Sequence, residues 1–184
     1  MDSCNRSAIV DSTACFPVSL VILLGLCLIA TPLYAGKGHD IDLDSMQVLP
    51  LKLALIAAAE AQSVCEDQGF RVSAAVVDRG GLVKAHVRGD GSGPHTLESA
   101  RKKAYTSASL GSPTSALVDV VVNNPATEGL RDMNDDILIL GGGLPIVVDD
   151  EIVGGIGVGG APGGNLDEAC AQAGIDRILH QLDD

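Results

Sequence analysis

Between Gly141 and Ile175 the chain reads GGGLPIVVDDEIVGGIGVGGAPGGNLDEACAQAGI. Two apolar runs flank an Asp149-Asp150 turn, so the segment predicts a hairpin. A glycine run follows, then Asn165 with Glu168 three residues on, the pattern of a helix capping box. The run also contains Gly155-x-Gly157-x-x-Gly160, the glycine spacing of a dinucleotide fingerprint. That fingerprint needs a strand, a glycine turn, a helix and a second parallel strand bearing an acid about 20 residues on. Here the helix opens only near Leu166, no second strand follows, and Asp176 falls inside the helix. The glycines read instead as sites of close backbone approach, either of a flat ligand to the sheet or of a packed helix or subunit.

Composition narrows the function classes. The formal net charge is −12. A nucleic-acid binder wants a basic face, and an anionic membrane surface would repel this chain. A small molecule or a metal remains compatible. Hydrophobic residues make up 46% of the chain, yet it has two Phe, two Tyr and no Trp. Its core is therefore expected to be Ala, Val, Leu and Ile. Such small branched side chains leave room for a ligand or a partner surface.

The first 35 residues read as a signal peptide. Val18 to Ala30 is apolar without a break, and Tyr34-Ala35-Gly36 offers a small-residue cleavage point. An uncleaved anchor over Phe16 to Ala35 is the competing reading, since about 20 apolar residues span a bilayer. Residues 36–49 read as a solvated linker and residues 50–184 as the domain. The domain keeps Cys65 and Cys170, each on an expected helix. Two buried thiols are the default. A disulfide is the alternative if the helices pack together, as an exported compartment permits.

Periodicity predicts a helix over Pro50–Gln68, strands over Val72–Val77 and Leu82–Val87, and a helix capped by Thr96 and stopped by Gly111. A further helix is expected to open at Pro113 or Thr114 and to end near Asn123-Asn124-Pro125. Short strands are expected at Ile137–Leu140, Pro145–Val148 and Ile152–Val158, before the last helix. Sequential hairpins favour an antiparallel sheet with helices on its faces, an α+β layered domain.

Four stretches carry a resemblance: VSAAVVDRGGLVKAHVRGDG (72–91), GPHTLESARKKAYTSASLGSPTS (93–115), GGGLPIVVDDEIVGGIGVGG (141–160) and NLDEACAQAGI (165–175). Through them the chain, from roughly Leu51 to Leu179, resembles the GlcG/HbpS family of haem-binding-type domains. The resemblance implies a profilin-like α+β domain, a homo-oligomer and, for extracytoplasmic members, binding of haem or iron. Other members belong to glycolate-utilisation or cobalamin-related contexts.

The candidate ligand set follows. His95 sits in a Gly-Pro loop at a helix start, and neutral imidazole is a common iron ligand. Thr106, on the helix that borders the family's ligand site, is the second candidate metal ligand. A hydroxyl bonded to its own helix backbone is the alternative. Lys103 and Arg101 are candidates for propionates or a substrate carboxylate. Tyr105 either stacks on a porphyrin or fills the core. Thr96, Gly155 and Gly157 complete the expected cofactor contacts. No catalytic constellation is present: the sequence has no Gly-x-Ser-x-Gly, His-Glu-x-x-His or Cys-x-x-Cys. The expectation is an exported, periplasmic or extracellular haem- or iron-binding protein. The alternative is an enzyme or accessory subunit acting on a small hydroxy acid such as glycolate, with Arg101, Lys103 and Thr106 holding the carboxylate. A membrane-enzyme partner is a further possibility.

Overall fold

The structure is a computed structural model that describes residues 48–179. The expected leader, most of the linker, His39 and His180 lie outside the described residues. Among the described residues no helix is long and apolar enough to cross a membrane. The elements run α1 (Leu51–Asp67), β1 (Ser73–Asp78), β2 (Val83–Arg88), α2 (His95–Leu110) and α3 (Thr114–Asn123). A 3-10 segment (Pro125–Arg131), β3 (Gly143–Val148), β4 (Glu151–Gly159) and α4 (Gly164–Leu179) follow. The four strands form one antiparallel sheet in the order β2-β1-β4-β3. The α+β layered class expected from the sequence is therefore the one observed.

The alternation of β1 separates two cores. Ala74 and Val76 point with Ile156, Val158 and Ile146 into a cluster closed by α1 and α4. Ala75 and Val77 meet Ala100, Ala104 and Ala108 of α2 on the opposite face. In β4 the residues facing α2 are the alternate glycines. A Cβ at Gly155 would strike the carbonyl oxygen of Ala104, and one at Gly157 that of Ala100. Period-two side-chain placement thus turns a glycine run into a groove that takes a helix backbone. Of the two roles open for Gly155 and Gly157, the structure shows helix packing. They lie under α2, with no face left for a flat ligand.

Helix ends behave as the sequence predicts at two places. Gly69 (φ 82°) follows α1, and Gly111 (φ 64°) terminates α2 in the left-handed conformation that glycine tolerates. Four expectations need correction. Leu49 is no linker residue, because it is buried in the α1/α4 core. Thr96 does not cap α2. The helix opens at His95, and the Thr96 hydroxyl donates to Gly93 O and accepts from Ser73 Oγ. Asn165 and Glu168 form no capping box, since α4 already starts at Gly164 and Glu168 Oε1 accepts from Ser115 Oγ at 3.0 Å. Residues 137–140 are not a strand. Ile137 and Ile139 are buried by turns, which imitates strand alternation, but the Leu138 N–H donates to Thr106 Oγ1 rather than to a neighbouring strand. Ion pairing of Arg101 with Asp136, and a bond from Lys102 to Asp135 O, strap this segment onto α2 instead.

Cys65 and Cys170 form a disulfide between α1 and α4. The default of two thiols is thereby corrected. Ala54, Ala57, Ala58 and Ala61 of α1 bring the helices close enough, and a Cβ on Gly174 would already strike Ala57 O.

The β3–β4 turn places Asp149 (φ 50°) and Asp150 (φ 64°) both in the left-handed region. That geometry suits a primed hairpin turn, whose second position prefers glycine. Asp150→Gly is expected to stabilise the protein by up to about 1 kcal/mol. Urea unfolding checks this: an unchanged or lower midpoint contradicts it.

Candidate functional site

The site is built around the first residue of α2. The Gly93-Pro94 loop delivers His95, whose ring folds back over Gly93, where any side chain would collide with Cε1 and Nδ1. The imidazole is exposed and has no hydrogen-bond partner among the described residues. Ser99 and Lys103 follow at helical spacing on the same face of α2. Opposite them stand Leu140 and the Gly160-Ala161-Pro162-Gly163-Gly164 loop between β4 and α4. Together they line a notch of about 270 Å³. Ligand pockets run from about 300 to 1,000 Å³. This notch therefore takes an edge of a flat molecule and does not enclose it.

A buried ion pair lies beneath the notch. Lys103 is 2% exposed and Asp167 3%. Lys103 Nζ donates to Asp167 Oδ2 at 2.7 Å and to Val158 O at 2.9 Å. Asp167 Oδ1 accepts from Ala161 N–H at 3.0 Å. Burial pushes the Asp167 carboxyl above the ordinary carboxylate range, while the Lys103 ammonium and the Ala161 and Gly160 N–H groups pull it down.

A family model described as "Haem degrading protein HbpS-like" matches residues 49–176. The chain belongs to the HbpS-like family. It is 33% identical to Protein GlcG of Escherichia coli K12 over 111 residues, 60% of this chain and 81% of that one. A doubly substituted form of Streptomyces reticuli HbpS is 41% identical, with a TM-score of 0.68 over 80% of this chain and 96% of that one. PduOC, solved as a haem complex, is 25% identical, with a TM-score of 0.65 over 71% of this chain and 95% of that one. Haem binding is thus supported at the level of the family.

Within this HbpS-like chain the expected site residues do not all converge. His95 and Lys103 line the same notch. The Lys103 ammonium, however, is buried and already held by Asp167 and Val158 O. Thr106 is fully buried; its hydroxyl donates to Lys102 O and accepts from Leu138 N–H. It is not offered to the notch as a metal ligand. Thr96 is buried and bonded as described above. Tyr105 lies ten residues beyond His95, about 15 Å along the helix. Its ring covers Gly81 of the β1–β2 turn and joins the Leu117, Val121, Ile137 and Ile139 cluster. Arg101 is committed to Glu98 and Asp136. The three groups that would hold a hydroxy-acid carboxylate are therefore all internally paired.

Sequence reasoning picked out Gly160 but missed Asp167, Leu140 and residues 161–164 of the loop. Asp167 carries a weak local signal, an acid in the first turn of a helix. Its partner stands 64 residues earlier, and no spacing rule joins the two.

Proposed function

We propose that this HbpS-like protein is an exported haem- or iron-binding protein that works as a homo-oligomer, with His95 as the iron ligand. The observation that carries the reading is the exposed imidazole, without a hydrogen-bond partner among the described residues, on the rim of a notch walled by glycines, Ala161, Pro162 and Leu140. The donor chemistry fits haem, because a free imidazole is a common axial ligand and a small-residue wall admits the edge of a porphyrin. When bound, haem supplies the redox-active iron, and the chain supplies the ligand nitrogen and the wall. The shallow notch leaves most of such a ligand outside this chain, which supports a site completed by a second copy. The apolar leader and the Cys65–Cys170 disulfide support export, since structural disulfides persist in oxidising compartments.

Added hemin is expected to give the purified protein a Soret band, and His95→Ala is expected to shift or abolish it. A wild type that leaves the hemin spectrum unchanged overturns the haem reading. A His95→Ala spectrum identical to wild type removes His95 from it.

A further inference from the structure

The Lys103–Asp167 pair is the strongest buried polar feature among the described residues, and its position relative to the notch gives it a task. The notch has two walls from distant parts of the chain, and both end on this pair. On one side Asp167 accepts from Ala161 N–H, near the start of the 160–164 loop. Lys103 holds Val158 O, at the end of β4 just before that loop. On the other side Gly142 (φ 117°) passes directly over the pair. A Cβ there would strike Asp167 Cβ, Lys103 Nζ and Val158 O. Gly142 O accepts from Val158 N–H at 2.9 Å, and Gly141 rests on Gly164. Leu140, the other wall of the notch, is two residues before Gly142. The pair is thus the common anchor of both walls, and α2 carries Lys103 two turns from His95. A loop of three glycines, one alanine and one proline has no hydrogen-bonding side chain of its own with which to hold its position.

We propose that Lys103 and Asp167 are positioning residues of the His95 notch. They touch no ligand, and they set the distance and angle between the imidazole and the 140–142 and 160–164 walls. This deepens the haem reading above and rests on it.

The test separates site geometry from stability. Lys103→Met/Asp167→Leu in the full chain removes the anchor without leaving a lone buried charge. It is expected to fold cooperatively with an intact disulfide, yet to bind hemin roughly 10–100-fold more weakly, the usual cost of losing an orienting outer residue. Its Soret maximum should move, and amide exchange at Gly160 and Ala161 should quicken. Ile178→Ala is the control. It removes a fully buried side chain of the α1/α4 core near the far end of α4, and should lower the unfolding midpoint while leaving hemin affinity within about twofold. If the double variant binds hemin as wild type does, with the same spectrum, the positioning role is overturned while the haem reading stands. If Ile178→Ala weakens hemin binding as much as the double variant does, the loss is general destabilisation and the role is likewise overturned. A wild type that binds no hemin sinks the haem reading, and this inference with it.

Discussion

Lys103→Met lowers the unfolding free energy by about 3–5 kcal/mol, the range seen when one partner of a buried ion pair is removed. The substitution keeps the length and much of the volume of the side chain, so the loss is not one of packing. It leaves the Asp167 carboxylate buried at 3% exposure, with the Ala161 N–H still donating to it and its cation gone. The Lys103→Met/Asp167→Leu variant should recover most of that loss. A buried pair costs several kcal/mol per ion in desolvation, and a well-packed apolar pair avoids it. The pH dependence points the same way. Burial holds the Asp167 carboxyl above its unfolded value, so the folded state binds that proton more readily than the unfolded state does. Its contribution to stability is present below the unfolded pKa of about 3.9 and declines as pH rises through the raised value. Urea titrations of wild type, single and double variants at neutral pH check this. A single variant within 1 kcal/mol of wild type, or a double variant no better than the single, contradicts the account.

The parts of the fold that could be read from the sequence are those set by local periodicity and turn chemistry. Gly69 and Gly111 end helices where a left-handed residue is needed, and Asp149-Asp150 turns a hairpin. The misreadings share one cause, a tertiary partner that overrides a local pattern. Ile137 and Ile139 alternate like a strand because both are buried under Tyr105, yet the Leu138 N–H is taken by a threonine on α2. Asn165 and Glu168 have capping spacing, but Glu168 is drawn off by Ser115 on α3. The position of His95 was legible, where a Gly-Pro loop meets a helix start. Lys103 reads as a site residue and does line the notch, but its partner was not legible, because a lysine on a helix looks the same whether it faces solvent or an aspartate 64 residues on. Gly155 and Gly157 lie between these cases. Their spacing of two tells which face they share, and only the packed helix tells what covers that face.

Removing the disulfide by Cys65→Ala/Cys170→Ala is expected to cost about 2–5 kcal/mol. The two residues stand 105 positions apart, so the bridge closes most of the described chain into a loop. In the chain-entropy account a loop of about 100 residues is worth about 4.7 kcal/mol, because the unfolded ensemble loses that much freedom. The helices approach closely through Ala54, Ala57, Ala58 and Ala61 against Ala171 and Gly174, and Leu53, Ile175 and Ile178 add the larger apolar side chains of the same core. Alanine suits both positions, since each cysteine is fully buried and a serine hydroxyl would lack a solvent partner. The packing of α2 on the sheet should be retained, because Ala75, Val77, Ala100, Ala104 and Ala108 form a separate cluster on the face away from α1 and α4. Guanidinium unfolding of the double variant beside the oxidised wild type reads the difference. A coincident pair of unfolding curves would show that the link adds nothing to the packed helices.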